Sequence, residues 1–350
     1  MDKGISTDFF VKGESPIWLR GENKHILSTS VCLNRNLKGF KFPNKASVED
    51  KAKVCARILG KIHHSAMSSG FHLDIFSNVN NEIKNLLLER RVTSACLRCQ
   101  DPGNDSRAIL VNADESIVII INDIDHLQIK ASCQGFDVQK CYEMCESVLK
   151  QISLDFAYDQ TFGFLTAMPA IMNTGIQVEV TAHLPGIVLF EEAEDYVESL
   201  RCEGVLVDGL LGPGLPPYGG IFTLFNQNTR RKNVSETLNH FKEIVEGVIE
   251  QDKILRDETG LIERKDAIGR SYGVLKYAEK IEFGEAMAAI SVLRMGMEDG
   301  EFDKLDFHTL NKLTWYMFPT QIMNLLNCPA DEIDFVRTKI IKQALSKEKK

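Results

Sequence analysis

Apolar residues follow two different spacings along this chain. Between about residues 105 and 255, short apolar runs rich in β-branched residues alternate with segments of helical spacing. The runs predict strands at 108–112, 117–122, 126–131, 176–184 and 221–226. The helical segments cover 138–152, after the cap residue Asp137, and 234–257, after the cap residue Asn233. This alternation is typical of a domain that mixes strands and helices.

Helical spacing dominates on both sides of this region. A helix is predicted over 47–67, where Ser47 provides the cap and Val54, Ile58 and Ile62 share one face. After residue 258 the strand-like runs disappear, and further helices are predicted at 261–278, 283–297, 307–318 and 331–345. We therefore divide the chain into an N-terminal arm (1–20), a mixed domain (21–258) and an all-helical domain (259–350).

The composition is that of an ordinary globular protein. Apolar residues make up 44% of the 350 residues and charged residues 26%, which excludes largely disordered and collagen-like chains. The excess of 49 acidic over 41 basic residues gives a net charge of −8, so we expect no broad surface for nucleic acid or anionic lipid. The longest apolar run, 116–121, is too short to cross a bilayer, and the N-terminus lacks a signal-peptide pattern. These features predict a cytoplasmic protein that binds neither nucleic acid nor membranes.

Nine cysteines are present, and in the cytoplasm we expect them to be reduced thiols. Two pairs, Cys96 with Cys99 and Cys141 with Cys145, have spacings found among zinc ligands. No further Cys or His pair completes a tetrahedral site at the expected spacing. The sequence therefore predicts no metal site.

Several segments resemble, in the same order, those of phosphagen kinases, and most closely the bacterial protein-arginine kinases of the McsB type. The segments read ILSTSVCLNRNLKGFKFP at 26–43, VIIINDIDHLQI at 118–129 and FGFLTAMPAIMNTG at 162–175. Towards the C-terminus, RSYGVL at 270–275 and SVLRMG at 291–296 are similar to the helical domain of the McsB type. The resemblance spans about residues 17–342. It implies an α+β fold, in which an antiparallel sheet flanked by helices is followed by an all-helical C-terminal domain.

Members of that family transfer the γ-phosphoryl group of Mg·ATP to a guanidinium nitrogen, so the resemblance implies ATP and Mg²⁺ as cofactors. Carried over by motif, the nucleotide contacts would come from Ser28, Thr174, Gly175, Asn226 and Gln227. The arginines that hold the phosphates in the family are replaced at all the aligned positions. These positions are Ser30, Cys32, Gln128, Gln177 and Asp208. A pocket without these arginines offers little to a triphosphate.

The catalytic carboxylate of the family is also replaced. The aligned position is Ile124, and an aliphatic side chain cannot accept a proton. The neighbours Asp123, Asp125 and His126 are the candidate catalytic residues that this segment still offers. Paired carboxylates at a strand end also cap turns, and a histidine in such a place can simply be packed and hydrogen-bonded. The position of the family's reactive cysteine is occupied by Met168.

A second candidate site lies in the helix predicted at 331–345. The resemblance to the McsB type places a phosphoarginine-binding pattern there, and Asp334, Arg337 and Lys342 keep its charges. Spacings of three and five residues put these side chains on adjacent helix faces. The alternative is that they are surface charges of an amphipathic helix.

These substitutions favour a pseudokinase that keeps the family scaffold as a regulatory or phosphoarginine- and protein-binding module. Its partners would be an McsA-like activator, an arginine-phosphorylated client protein or a second copy of the chain. The alternative is an active ATP-dependent protein-arginine phosphotransferase with a rebuilt site. That enzyme needs Asp123 or Asp125 as its carboxylate, and at least two cations converging on a triphosphate-sized cleft. The candidate cations are Arg35, Arg230, Arg231 and Lys232.

Overall fold

The computed structural model describes residues 16, 20–22, 24–93, 106–189, 193–212, 216–227 and 233–346. The strands are β1 (Ile26–Arg35), β2 (Phe71–Ile75), β3 (Ala108–Asn112), β4 (Ile117–Ile121), β5 (Leu127–Gln134), β6 (Tyr158–Asp159), β7 (Gly163–Phe164), β8 (Ile176–His183), β9 (Val205–Gly209) and β10 (Ile221–Asn226). The helices are α1 (Val48–His63), α2 (Asn81–Glu89), α3 (Val138–Ile152), α4 (Pro185–Leu189), α5 (Ala193–Cys202), α6 (Val234–Glu258), α7 (Leu261–Tyr277), α8 (Phe283–Glu298), α9 (Phe307–Tyr316), α10 (Pro319–Leu326) and α11 (Ile333–Leu345). The candidates Cys96, Cys99, Arg230, Arg231 and Lys232 lie outside the described residues.

Eight of the strands form one sheet in the order β2-β3-β4-β5-β1-β8-β10-β9, and every neighbouring pair is antiparallel. Strands β6 and β7 form a separate two-stranded sheet. The strands predicted at 108–112 and 221–226 coincide with β3 and β10. The α+β fold is therefore confirmed, with an antiparallel sheet flanked by helices and followed by an all-helical region.

The central strand β1 shows why the two faces of the sheet differ. Successive side chains of a strand point to opposite faces. Val31 and Leu33 point into the main hydrophobic core, where α1, α3 and α6 pack on the sheet. Ser30, Cys32 and Asn34 alternate with them and point to the other face. One face of the sheet therefore carries the main core. The other carries a smaller apolar cluster, where α2 packs on β3 and β4, and polar groups around β1 that can form a site.

The predicted helix starts are confirmed by their caps. The hydroxyl of Ser47 accepts a hydrogen bond from the backbone N–H of Asp50 at 3.1 Å. Asp137 and Asn233 cap α3 and α6 in the same way. Each such cap satisfies a backbone donor that the helix leaves unpaired, and typically contributes about 1 kcal/mol. None of the helices in the described ranges is long and apolar enough to cross a membrane.

The all-helical region differs from its prediction in two places. The single helix predicted at 307–318 is wrong at its end, because α9 stops earlier and Pro319 begins the separate helix α10. Proline suits the first turn of a helix, where its missing N–H needs no partner. The helix predicted at 331–345 begins at Ile333, after the short 3-10 turn Ala330–Glu332. The domain boundary predicted at residue 258 falls between α6 and α7.

A buried group of charges, the Glu298 cluster, joins the helical region to the sheet. Glu298 ends α8, and its carboxylate contacts His183 of β8 (Oε1 to Nδ1, 3.0 Å) and Arg256 of α6 (Oε2 to Nη1, 3.1 Å). Its other partners are His25 and Arg294, each at 3.3 Å. Burial alone would raise the pKa of this carboxyl, but the contacts with His183, His25 and Arg294 hold it well below its usual range. Glu298 is therefore ionised inside the protein.

A second contact between the two regions involves α2 and α10. Glu89, the last residue of α2, accepts hydrogen bonds from the backbone N–H groups of Thr320 (3.1 Å) and Gln321 (3.0 Å). These donors lie at the N-terminus of α10, where a carboxylate also interacts favourably with the helix dipole. Two residues further along the chain, the guanidinium of Arg91 lies 6.0 Å from the ring centroid of Trp315 in α9. The segment around Glu89 therefore anchors the helical region to the sheet domain.

The substitution Glu298→Gln is expected to lower the free energy of unfolding by about 3–5 kcal/mol, because it leaves the guanidinium groups of Arg256 and Arg294 buried with less opposite charge. Urea unfolding followed by circular dichroism measures the change. The matched control is Glu250→Gln, which removes an exposed carboxylate of α6 paired with Lys253. We expect the control to change stability by less than about 0.5 kcal/mol. Equal stabilities of the two variants would contradict the structural role of the Glu298 cluster.

Candidate functional site

A cavity of about 290 Å³ lies on the polar face of the sheet, and we call it the sheet cavity. It is lined by residues of β1, β4, β5, β8, β9 and β10, of the β4–β5 loop, and of the segments 92–93 and 168–171. The apolar part of the lining comes from Val92, Ile120, Ile124, Met168, Ala170, Ile171, Leu206 and Phe225. The volume is at the lower end of the range of small-molecule binding sites.

The antiparallel register explains why polar side chains meet in the sheet cavity. Cys32 of β1 lies opposite Lys130 of β5 on one side and opposite Gln177 of β8 on the other. Directly opposed residues of neighbouring strands project from the same face of a sheet, so these side chains stand in one row. Ser30, two residues before Cys32 in β1, lies opposite Glu179 of β8. The central strands thus present two adjacent polar rows to the sheet cavity.

The main charge contact in the sheet cavity is an ion pair within these rows. The ammonium of Lys130 lies 3.1 Å from Oε2 of Glu179 and donates to the backbone carbonyl of Arg91 at 3.2 Å. The guanidinium of Arg91 also contacts the Glu179 carboxylate. Burial and the neighbouring charge of Arg91 both lower the pKa of Lys130. Among the described residues that line the sheet cavity, Lys130 is the one basic side chain, and it is already paired with Glu179.

Of the five positions that the resemblance aligns with family arginines, four line the sheet cavity and Ser30 does not. Cys32 and Gln177 line the sheet cavity, and burial raises the pKa of Cys32 to about 12, so this side chain is a neutral thiol. Asp208 also lines the sheet cavity, and burial raises the pKa of its carboxyl. Gln128 lines the sheet cavity and donates to Asn34 Oδ1 at 2.8 Å. Ser30 is not part of the lining and is hydrogen-bonded to Ser132 (Oγ to Oγ, 2.8 Å).

The candidate catalytic residues are separated by the structure. Asp123 and Ile124 both line the sheet cavity. Burial raises the pKa of Asp123, while the guanidinium of Arg107, 3.8 Å from its carboxylate, acts in the opposite direction. The cavity-facing position next to Asp123 is thus filled by an aliphatic side chain.

Asp125 and His126, the other two candidate catalytic residues, do not line the sheet cavity. The Asp125 carboxylate accepts hydrogen bonds from the Asn36 amide and from the backbone N–H of Ala167 (2.7 Å). His126 Nδ1 accepts from the backbone N–H of Leu37 at 3.0 Å, and its Nε2 lies 2.9 Å from the backbone carbonyl of Lys41. The N–H donor at Nδ1 and the carbonyl acceptor at Nε2 fix the neutral Nε2-protonated tautomer. Both side chains therefore hold loops together through hydrogen bonds within the protein.

The predicted nucleotide contacts also divide into two groups. Asn226 and Gln227 line the sheet cavity, whereas Ser28, Thr174 and Gly175 do not. Gly175 has a positive φ of 64°, and a Cβ there would lie 2.6 Å from the carbonyl oxygen of Asn34. Glycine is therefore required at this position by the close approach to β1.

Arg35, one of the candidate cations, lies next to Gly175. Its Nη1 donates to the backbone carbonyls of Asn34 (2.8 Å) and Thr174 (3.0 Å), and its guanidinium lies 3.7 Å from the ring centroid of Phe164. The side chain is buried and is not part of the lining of the sheet cavity. Arg35 therefore supplies no positive charge to that site.

The residues of the predicted phosphoarginine site form contacts within the protein. Arg337 is 1% exposed, and it donates to the backbone carbonyls of Met317 (3.1 Å) and Ile281 (2.9 Å) and to Asp334. Lys342 is paired with Glu279 at 2.9 Å. The guanidinium that should bind a phosphoryl group is thus buried and used within the protein. Neither of the two readings from sequence, an anion site or a surface charge, describes Arg337.

Lys130 and Glu179 are the site residues that the sequence analysis missed. Each follows an aligned arginine position, Gln128 or Gln177, by two residues in the same strand. Residues two apart in a strand share a face, so the alternation could have placed them in the sheet cavity. Their mutual pairing depends on the register across β1, which the sequence does not reveal.

Comparison with known families agrees with this architecture. The chain matches the family model of the ATP:guanido phosphotransferase C-terminal catalytic domain over residues 54–255, more than half of its length. It matches the model of the protein-arginine kinase McsB C-terminal domain over residues 262–350. The first match covers the sheet domain from residue 54 onward, without β1, and the second covers the all-helical region.

Individual relatives and structures point the same way. The chain is 30% identical over 295 residues to a protein-arginine kinase of Exiguobacterium sp., covering 81% of this chain and 82% of that one. It is 29% identical over 321 residues to a protein-arginine kinase of Brevibacillus brevis, covering 88% of each. The crystal structure of a lombricine kinase superposes with a TM-score of 0.58 at 17% identity, over 74% of this chain and 73% of that one, and so shares the fold. The chain belongs to the ATP:guanido phosphotransferase family, in the branch that carries the C-terminal domain of protein-arginine kinases.

Proposed function

We propose that this chain is a pseudokinase of the protein-arginine kinase branch, which uses the family scaffold as a regulatory or protein-binding module. The observation that carries the proposal is the charge of the sheet cavity. Its described lining contains the three carboxylates of Asp123, Glu179 and Asp208 and the single ammonium of Lys130. Binding of a triphosphate requires more positive than negative side chains around it.

Phosphoryl transfer in this family depends on cations placed around the transferred group, because the protein contributes mainly position and electrostatic stabilisation. Loss of one such donor typically slows a reaction by about 10²–10³, and loss of a general base by about 10²–10⁴. At the sheet cavity the described side chains offer Cys32, Gln177 and Asp208 to the phosphates and Ile124 at the carboxylate position. The described residues therefore do not fit ATP, and we assign them no step in phosphoryl transfer.

The second candidate function is an active protein-arginine kinase. The relatives named above favour it, since they carry that name and match most of the chain. The enzyme would need cations beyond Lys130. Arg230, Arg231 and Lys232 follow the cavity residue Gln227 closely in the sequence and lie outside the described residues. Substitution of these three residues therefore tests whether the chain is an active kinase.

The partner that we propose is a protein surface. Burial of Arg337 argues against a phosphoarginine ligand at the C-terminal helix, so recognition would depend on the exterior of the sheet domain and the helical region. An McsA-like activator, a client protein and a second copy of the chain are the partners to test, in the cytoplasm. Capture of such a partner by the full chain in the absence of ATP is the expected behaviour.

Mg·ATP titrated into the full chain is expected to give no binding heat at millimolar nucleotide, and therefore a Kd above about 1 mM, or less than about 4 kcal/mol of binding free energy. The thermal midpoint should also stay unchanged, because a ligand that binds the folded state must raise it. The triple substitution Cys32→Arg, Gln177→Arg, Asp208→Arg should gain measurable affinity. A Kd below about 1 mM for the unsubstituted chain, lost in Arg230→Ala, Arg231→Ala, Lys232→Ala, would support the active kinase instead.

Arg337→Met is expected to lower the free energy of unfolding by about 2–4 kcal/mol, because the carbonyls of Met317 and Ile281 lose their buried donor. Lys342→Met, which removes a surface pair with Glu279, should change it by less than about 0.5 kcal/mol. Denaturant unfolding measures both. Titration of free phosphoarginine should give no heat with the unsubstituted chain. Wild-type stability of Arg337→Met together with phosphoarginine binding to the unsubstituted chain would restore the phosphoarginine site.

A further inference from the structure

We propose that Cys133 and Cys141 are a redox site, in which a hydroperoxide converts the two thiols into an intramolecular disulfide. The two Sγ atoms are 3.0 Å apart in the folded chain. A disulfide bond is about 2.05 Å long, so the sulfurs need to approach by only about 1 Å. The site lies on the core side of the sheet, and neither cysteine lines the sheet cavity.

Local structure brings the two thiols together. Cys133 is the second-last residue of β5, and Cys141 lies in the first turns of α3. The chain reverses between them, and Asp137 caps the helix. The Cys133 thiol contacts the backbone carbonyl of Asp137 at 3.5 Å, and the Cys141 thiol contacts that of Thr29 at 3.4 Å. Both sulfurs are therefore held in place by backbone groups rather than by mobile side chains.

The contact between the thiols assigns them different roles. The Cys141 thiol donates a hydrogen bond to Cys133 Sγ, which lowers the pKa of Cys133 and raises that of Cys141. The thiolate is the nucleophile in cysteine oxidation, so Cys133 is the residue that reacts first. Cys133 is 2% exposed, but its thiol contacts the backbone of Asp137, which is a surface residue. A small oxidant therefore has a short distance to travel.

The chemistry balances in two steps. The Cys133 thiolate attacks the terminal oxygen of the hydroperoxide, the O–O bond breaks, and with one proton the products are a Cys133 sulfenic acid and an alcohol, or water from hydrogen peroxide. The Cys141 sulfur then attacks the sulfenic sulfur, the S–O bond breaks, and water leaves with the Cys141 proton. Two thiols have lost two electrons and two protons to the hydroperoxide. A thiol reductant reverses the change by exchange.

The other described cysteines are placed differently. Cys145, one helical turn after Cys141, contacts the backbone carbonyls of Val31 and Ile129, each at 3.2 Å. Cys202 is exposed, and among the described residues Cys133 and Cys141 are the two thiols in contact with each other. The described residues contain no group of three or more His, Cys, Asp or Glu side chains that could hold a metal ion. The pair is therefore suited to oxidation rather than to metal binding, and Cys145 provides a matched control.

The test uses the full folded chain. It is treated with hydrogen peroxide, quenched with catalase, denatured, alkylated with iodoacetamide and analysed by peptide mass spectrometry with and without dithiothreitol. We expect a peptide pair joined through Cys133 and Cys141 that dithiothreitol separates. Cys141→Ser should stop at a Cys133 sulfenic acid that dimedone traps, and Cys145→Ser should form the same link as the unsubstituted chain.

Two results would overturn the proposal. One is full alkylation of both cysteines at a peroxide dose that oxidises the exposed Cys202. The other is loss of the link in Cys145→Ser while its circular dichroism spectrum is unchanged, which would show that a different pairing is involved. Mapping of the unsubstituted chain decides the matter even if Cys141→Ser fails to fold, because the linked peptide is observed without any substitution.

Discussion

Glu179 contacts both cations that approach the polar rows of the sheet cavity, Lys130 and Arg91. Because a buried carboxylate is stable only when it is paired, this residue and its partners form one unit. The unit reaches beyond the sheet, since Arg91 lies against Trp315 and the nearby Glu89 accepts from the N-terminus of α10. The positive charges of Lys130 and Arg91 are already paired with Glu179, and Arg91 also lies against the helical region. These two side chains are therefore not placed to attract a phosphate. Arg91 thus links the sheet cavity to the helical region.

Neutral groups form hydrogen bonds at and around the positions that the resemblance aligns with family arginines. Gln128 bonds to Asn34, Ser30 bonds to Ser132, and the amide of Asn226 bonds to β8. Buried polar groups that are paired cost little, whereas unpaired arginines without a bound phosphate would be expensive to bury. The polar face of the sheet is consequently stable with no anion present. The carboxylates of Asp123, Glu179 and Asp208 make this face a poor binding site for an anion.

Much of the fold could be predicted from the sequence, since apolar runs and capping residues are local signals. The strand at 221–226 and the start of α3 after Asp137 are examples. The candidate site was harder, because its members are set by contacts far apart in the chain. His126 is hydrogen-bonded to the backbone of Leu37, and Arg337 to the backbone of Ile281. Neither contact can be inferred from the spacing of residues in the sequence. The arginine replacements could be predicted, but the Lys130–Glu179 pair required the strand register.

The most direct measurement is a phosphoryl-transfer assay. The full chain is incubated with Mg·ATP labelled at the γ-phosphate and an arginine-rich protein, and mass spectrometry searches both proteins for phosphoarginine. The charge balance of the sheet cavity predicts no phosphoarginine above the level of an enzyme-free control. Phosphoarginine formed by the unsubstituted chain and abolished by Asp123→Asn would contradict the account, because it would show that the site has kept a working carboxylate and enough positive charge to transfer the group.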